Sequence, residues 1–413
     1  MNVADRDWDA VVLGAGAAGL MAATHAAERG RRVLLLEKAR KPGVKILMSG
    51  GTRCNITHDC DSRGIVAAFG KNGQFLHSAL AGFGVRDTVA FFEAEGVATK
   101  VEETGKIFPV SDRALDVLNA LLRRLARSGA VLSLAEPALD LRPLPDGGFR
   151  VTTPRRELTA ERVLVTTGGR SYPGCGTTGD GYTFATTFGH TIVPTRPALV
   201  PLTVDAAWVA DLRGITLPDV SLRVAENGKA LTTRRGSMLF AHFGLTGPAP
   251  LDVSRAVSGH PTPAALALEM DLLPTEPEHV FEEFVRAESA ASGKKQLAVV
   301  LSEKLPRRVC DRLLSLAGMP EDRRAAALST QDRRKLIELT KRLRLPLRGT
   351  LGFEKAEVTA GGVSLGEVDS RTMQSKRAPG LFLAGEVLDL DGWIGGYNFQ
   401  SAWSTGWLAG RHL

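Results

Sequence analysis

The stretch Gly14-Ala15-Gly16-Ala17-Ala18-Gly19 constrains this chain more than any other. It is a G-x-G-x-x-G loop. Before it runs an apolar stretch, Asp9 to Gly14, suited to a strand buried on both faces; after it, Gly19 to Gly30 is rich in Ala, Leu and Met and reads as a helix stopped by Gly30. Arg32 to Glu37 is a second buried strand, which makes a βαβ unit of about 30 residues. Gly14 permits the tight turn, Gly16 lets the backbone approach a pyrophosphate, and Gly19 lets helix and strand pack closely. The helix start around Ala17 and Ala18 offers N–H groups and a positive dipole end to phosphates. Glu37 closes the second strand 18 residues after Gly19; its carboxylate accepts from a ribose 2′-OH and repels a 2′-phosphate. Together these features predict a site for an adenosine diphosphate moiety. The loop alone leaves FAD and NAD open.

Two later segments separate those cofactors. Gly380-Leu-Phe-Leu-Ala-Gly385-Glu386 reads as a buried strand ending in a glycine and an acid, and Gly395-Gly396-Tyr397-Asn398 is a glycine turn opening a final helix near 398–410. A cofactor reaching past the pyrophosphate needs an acid for ribityl hydroxyls and a helix N-terminus for an electron-rich ring edge, such as the reduced N1/O2 edge of a flavin. Between these ends lie a glycine-rich loop, Gly43 to Asn55, helices near 75–95 and 113–128, and strands over Val131–Arg142, Gly148–Thr153 and Arg156–Thr167. From Thr191, prolines at 194, 197 and 201 punctuate short β stretches up to Met270. Helical periodicity with many charges then fills 276–345, ended by Pro346 and Gly349. Strands return at Ala356–Ala360 and Gly380–Ala384. The expected fold class is α/β: a Rossmann-like FAD-binding domain with a doubly wound parallel sheet, in residues 1–190 and 349–413. It is interrupted by an insert over 191–348, β-rich in 191–275 and helical in 276–348.

Charge and cysteine usage narrow the class further. The net charge is +7, and the segment from Lys294 to Arg348 holds 15 Lys or Arg against 6 Asp or Glu, so the rest of the chain is at −2. Such a local excess is either a surface for RNA or another acidic partner, or the solvated faces of Arg-rich helices. No apolar run reaches the ~20 residues of a spanning helix, and Met1–Trp8 lacks the apolar core of a secretory signal, so a cytoplasmic protein without membrane contact is expected. Cys54, Cys60, Cys175 and Cys310 are too scattered for a disulfide framework or a zinc site, and no metal is expected. The spacing C-x5-C of Cys54 and Cys60 departs from the C-x4-C of disulfide reductases, which favours Cys54 as a packed residue. Gly174-Cys-Gly-Thr-Thr-Gly179 repeats the G-x-G-x-x-G pattern but does not follow a strand end, and no acid closes a strand ~20 residues later; NAD(P)H is therefore expected only as a transient electron donor. His242 is the histidine chosen as a proton source during reduction, with packing inside the insert as its alternative. Arg53, Arg170 and Tyr172 are candidates for an anionic or carbonyl group of a substrate.

The chain resembles the YhiN/BaiN-like family of FAD-dependent oxidoreductases, related to the fumarate-reductase and aspartate-oxidase flavoproteins. The matching stretches are Lys45-Ile-Leu-Met-Ser-Gly-Gly-Thr-Arg-Cys-Asn55, Thr167-Gly-Gly-Arg-Ser-Tyr-Pro173 with Thr178-Gly-Asp-Gly-Tyr182, Leu239 to Pro248, Val358 to Val363, and Gly385-Glu-Val-Leu-Asp through Asn398. The resemblance implies FAD contacts at Gly14, Gly16, Gly19, Glu37, Lys38 and Lys45, in the loop Gly50, Thr52, Arg53, Cys54 and Asn55, at Thr167 and Gly168, and at Gly385, Glu386, Gly395, Tyr397 and Asn398. It also implies a backbone contact from Ala138 to adenine. Two positions depart from the family pattern: Thr52 stands where a third glycine is usual, and Ser237 where an acid is usual. The implied activity is hydride transfer between flavin N5 and an activated C=C bond of a small enone-like molecule. Reduction of uridine in ribosomal RNA is the alternative favoured by the basic 294–348 segment, and a non-catalytic FAD-binding redox protein is a third.

Overall fold

The computed structural model describes residues 6–291 and 294–413. The first five residues of the Met1–Trp8 segment, and positions 292–293 inside the expected helical stretch, lie outside the described residues. The chain divides into two compact units: everything up to Pro197 together with Glu357–Leu413, and Ala198–Ala356.

The first unit is a Rossmann-type α/β domain. Strand β1 (Trp8–Leu13) runs parallel to β2 (Val33–Glu37) on one side and to Glu157–Val165 on the other, with Val12 opposite Leu35 and Leu164. Val131–Leu134 extends the sheet in parallel beyond β2. Glu157–Val165 is shared: Leu381–Leu383 pairs in parallel with its last residues, and Phe149–Thr152 pairs antiparallel with its first. Ala10, Val11, Val12, Leu34 and Leu35 are fully buried, as expected of strands covered on both faces. Between β1 and β2 runs helix α1 (Ala17–Ala27), which packs against the last helix, α2 (Tyr397–His412). Glycines make that approach possible. A Cβ on Gly406 would lie 2.4 Å from Ala18 O, and one on Gly410 would lie 2.5 Å from Ala22 O. Trp403 of α2 is fully buried and its Nε1 donates to Ile56 O at 3.0 Å.

The second unit is a closed antiparallel barrel, in the order Leu202–Val204, Gly244–Thr246, Lys229–Ala241, Thr216–Glu226, Leu266–Asp271, Leu343–Thr350 and back to the first. Helices Glu278–Ala291, Leu297–Leu301, Arg307–Ala317 and Thr330–Lys341 complete a separate core that includes Phe240, Met270, Phe281, Leu313 and Leu336.

Several expectations are corrected. The two units divide at 197/198 and 356/357, seven to eight residues beyond the expected 190/191 and 348/349, and all but the last residue of Ile192–Ala198, which pairs with Val358–Val363, stays in the first unit. The end of the expected helical stretch is a strand. In Leu343–Thr350 the leucines at 343, 345 and 347 are buried while Arg344, Pro346 and Arg348 are exposed, which is strand periodicity, and this strand closes the barrel. Val131–Arg142 breaks into Val131–Leu134 and Asp140–Pro143, with Ala135 at φ +51° between them. The expected loop Gly43–Asn55 contains a helical segment, Val44–Thr52, broken at Ser49–Gly51.

Candidate dinucleotide site

The loop between β1 and α1 is shaped by contacts that only glycine allows. Gly14 has φ +104°, and a Cβ there would lie 2.7 Å from Thr166 O. A Cβ on Gly19 would lie 1.9 Å from Gly14 O, so α1 touches the end of β1 backbone to backbone. Gly16 differs. A Cβ there would meet no atom within 4 Å, so this side of the loop faces away from the protein, as a cradle that a side chain would fill. No side chain caps α1 at Gly16. The Thr166 hydroxyl lies 3.0 Å from the carbonyl oxygens of both Leu13 and Gly14 and holds the turn from the next strand. Both Glu37 oxygens are engaged by the backbone: Oε2 accepts from Ala15 N and Oε1 from Ala39 N, each at 2.8 Å. A carboxylate oxygen has two acceptor positions, so Glu37 fixes the loop and keeps capacity for a ribose hydroxyl.

Ala138 follows a segment tied to the end of β2 by Ala135 N to Ala39 O (3.0 Å) and Glu136 N to Glu37 O (2.9 Å). Glu136, 1% exposed, accepts from Ser133, Thr153 and Arg156. Burial alone raises a carboxyl pKa, but these hydrogen bonds and the Arg156 charge outweigh it and hold Glu136 at about 2.

The second half of the site gathers around Glu386. Its Oε2 lies 2.5 Å from Lys45 Nζ, and its Oε1 accepts from Ser171 Oγ (2.8 Å) and Thr359 N (2.9 Å). Lys45 also donates to Ser171 Oγ at 2.7 Å. Gly385, at φ +75°, brings the chain against α1: a Cβ there would be 2.8 Å from Ala18 Cβ. Lys38 reaches Thr178 Oγ1 (2.6 Å) and Asp180 Oδ2 (2.5 Å) at the start of helix Asp180–Thr187. Gly395 and Gly396, at φ +127° and +97°, form the turn before α2. A Cβ on Gly396 would lie 2.5 Å from Thr57 O and 2.8 Å from Asn55 Oδ1. Among the described residues, Asn55 Oδ1, Thr167 Oγ1 and Tyr182 OH are buried atoms without a protein hydrogen-bond partner. A buried acceptor at Asn55 beside the N–H groups opening α2 complements a ligand edge carrying an N–H between carbonyl oxygens, as the flavin pyrimidine ring does. The residues present therefore fit an adenine dinucleotide ending in such a ring.

Other sequence candidates are used differently. Arg53 pairs with Glu102 at 2.6 Å and lies 4.0 Å above the Phe108 ring, which commits its charge within the protein. Asn398 spends its side chain on the Gly392–Trp393 loop, so only its backbone remains for a ligand. Gly50, Gly51, Thr52 and Cys54 all have positive φ, and Thr52 takes φ +71° without being glycine. Cys54 is fully buried with its thiol pushed up to about 12 by burial, and burial lifts Cys60 to about 11, so neither offers a reactive thiolate. Gly174–Gly179 starts with the short turn Pro173–Cys175 and not with a strand, so it lacks dinucleotide-loop geometry. His242 is exposed in the hairpin turn between Lys229–Ala241 and Gly244–Thr246, its ring edge-on to Phe243 at 5.0 Å. In the basic segment, Lys304, Arg312, Arg333, Lys341, Arg342 and Arg344 pair with acids outside it, namely Glu276, Asp211, Glu282, Asp271, Glu278 and Glu269. The second unit holds 23 Lys and Arg against 19 Asp and Glu, a milder excess than the segment alone. Ser171, Thr359, Thr166 and Glu136 were not chosen as site residues; Ser171 and Thr359 lie in the stretches that carry the family resemblance, while Thr166 and Glu136 had no such signal.

A family model described as HI0933-like protein Rossmann domain matches residues 8–412. The ribosomal RNA dihydrouridine synthase of Escherichia coli K12 is 36% identical over 409 residues, covering 98% of each chain. The 3-dehydro-bile acid delta(4,6)-reductase of Clostridium scindens is 32% identical over 406 residues, covering 97% of each. Among solved structures, the 3-ketosteroid-delta4-(5alpha)-dehydrogenase of Rhodococcus jostii RHA1 shares the fold, with a TM-score of 0.54 at 16% identity over 100% of this chain and 98% of that one. No helix among the described residues is long and apolar enough to cross a membrane, and no group of three or more His, Cys, Asp or Glu among them could hold a metal ion.

Proposed function

Because this chain belongs to the HI0933-like Rossmann-domain family, we propose that it is an FAD-dependent oxidoreductase that reduces a C=C bond conjugated to a carbonyl, with NAD(P)H as electron donor. The observation that carries the reading is that one unit holds two glycine-shaped helix starts, Gly14–Gly19 before α1 and Gly395–Gly396 before α2, with α1 and α2 packed backbone to backbone where Ala18 and Ala22 face Gly406 and Gly410. When bound, FAD supplies a hydride at N5. The amides opening α1 hold the pyrophosphate, and Glu37 accepts from the adenosine ribose. Glu386, oriented by Lys45 and Ser171, takes the ribityl hydroxyls. The amides opening α2 stabilise negative charge at the N1/O2 edge, and Asn55 accepts from the ring N–H. Reduction of the double bond also needs one proton on the neighbouring carbon.

The E. coli relative is named for making dihydrouridine in ribosomal RNA, whose precursor is uridine, and the C. scindens relative for reducing a 3-dehydro-bile acid. In both, the bond at issue is conjugated to a carbonyl. We favour ribosomal RNA as the substrate class, since the 36% relative and the net basic second unit point the same way. The test is to purify the protein, record its flavin absorbance, reduce it anaerobically with NADH or NADPH, and offer it ribosomal RNA lacking dihydrouridine alongside a panel of enones. Dihydrouridine formation, with RNA binding that weakens steeply as salt rises, is the expected result. Enone turnover with RNA untouched selects the small-molecule reading. Reoxidation by oxygen alone selects a redox protein without this turnover, and a colourless protein that refuses FAD overturns the proposal.

A further inference from the structure

We propose that His58 is a positioning residue: it holds the Gly395–Gly396 peptide in the orientation that turns the N–H groups opening α2 toward the bound cofactor. The inference rests on the reading that this turn faces the pyrimidine edge of FAD.

His58 belongs to the two-residue strand Thr57–His58, paired antiparallel to Lys106–Pro109 with Thr57 opposite Ile107 and His58 opposite Lys106. Its Nδ1 lies 3.0 Å from Gly395 O. A carbonyl oxygen only accepts, so Nδ1 carries the ring proton and Nε2 the lone pair. Burial pushes the ring pKa below its usual 6.5, which keeps it in this single-proton form at neutral pH. The imidazole also stacks on Tyr397, the first residue of α2, with centroids 4.5 Å apart and planes 20° apart. Thr57 binds the next turn of the same helix, donating from Oγ1 to Gln400 Oε1 at 2.6 Å. The pair Thr57–His58 thus grips the start of α2 at three places: the Gly395 carbonyl, the Tyr397 ring and the Gln400 amide.

Peptide planarity gives this grip its consequence. With the Gly395 carbonyl turned to His58, the N–H of Gly396 must point the opposite way, because C=O and N–H are antiparallel across a trans peptide. No cis peptide occurs in the described residues. The left-handed Gly395 and Gly396 have a shallow conformational preference of their own, so an external hydrogen bond decides the peptide direction. Fit is tight on the His58 side: a Cβ on Gly395 would come within 3.3 Å of Nδ1. Without the donor, the peptide rotates and the N–H set facing the N1/O2 edge loses its alignment.

The test uses sulfite on the oxidised holoenzyme. Sulfite sulfur bonds to flavin N5 with its lone pair, and the displaced electron pair settles at N1/O2, so the adduct constant reports the donors at that edge. His58→Phe keeps a ring on Tyr397 but lacks the donor; His58→Asn restores an N–H donor without the stack. The expected result is flavin retained in both, a sulfite dissociation constant raised about tenfold in His58→Phe, and recovery to within about threefold of the parent in His58→Asn. A His58→Phe holoenzyme with the parent's sulfite affinity overturns the inference, as does equal weakening in both variants, which would assign the effect to the stack. If His58→Phe does not fold, the ring nitrogen spectrum of the unmutated holoenzyme decides: a proton on Nδ1 supports the inference and a proton on Nε2 overturns it. Absence of flavin from the parent protein is a separate outcome and overturns the FAD reading instead.

Discussion

The glycines of the first loop do different work although they share one motif. Gly19 is sterically obligatory, since a methyl group 1.9 Å from Gly14 O cannot be absorbed without moving backbone. Gly16 has room for a methyl on the open side of the loop but not between the loop and a pyrophosphate. Gly16→Ala should therefore keep the apo protein's melting temperature within about 2 °C while weakening FAD binding tenfold or more; Gly19→Ala should lose both, as calorimetry and flavin titration will read. Thr52 is a milder case. An L residue at φ +71° carries about 1 kcal/mol of strain, partly offset by the extra freedom glycine would bring to the unfolded chain, so Thr52→Gly should raise stability by about 0.5 kcal/mol in urea unfolding. Glu136 shows what sequence did not reveal. Its carboxyl sits at about 2 in the folded protein against a usual 4.5, so its ionised form stabilises the fold above pH 4.5 and that stabilisation disappears as pH falls toward 2. Glu136→Gln should cost about 2 kcal/mol at pH 7 and flatten the loss of stability between pH 5 and 2.

At the level of elements, the site depends on where α2 starts, and that is decided many residues later. Gly406 and Gly410 let α2 lie backbone to backbone on Ala18 and Ala22 of α1, which sets the position of α2, and so of its start, relative to α1. Gly406→Leu should push the helices apart, cost roughly 3 kcal/mol, and abolish FAD binding, although residue 406 touches no proposed ligand atom. Thermal unfolding with a flavin titration checks both halves of that statement. The βαβ start and the final helix were legible because their apolar patterns and glycine stops are local. The split of Val131–Arg142, the helix at Val44–Thr52 and the strand Leu343–Thr350 were not read correctly. In the last, the alternation Leu-Arg-Leu-Pro-Leu-Arg was present but was masked by the helical, charge-rich sequence before it and by Pro346, which sits beside the register irregularity where Val204 lies opposite Leu347.

At the scale of the molecule, two units with separate cores should unfold as two calorimetric transitions. Free FAD at a hundred times its dissociation constant should raise the first unit's stability by about 2.7 kcal/mol and leave the barrel's transition in place; a shift of both by the same amount would mean that the units unfold together. The basic segment shows why charge is poorly read along a chain. Its excess of Lys and Arg was plain in the sequence, but the acids that answer it, from Asp211 to Glu282, come from other elements of the same unit. The sequence by itself determined the Rossmann-type start, the dinucleotide loop and the acid at Glu37, because turn sterics, helix ends and strand burial act over a few residues. Only the tertiary structure decided that Glu37 also pins the loop, that Lys45, Ser171 and Thr359 converge on Glu386, and that Thr57–His58 grips the start of α2. Those contacts join residues separated by up to several hundred positions, and their partners are chosen by how helices and strands pack, which no local pattern encodes.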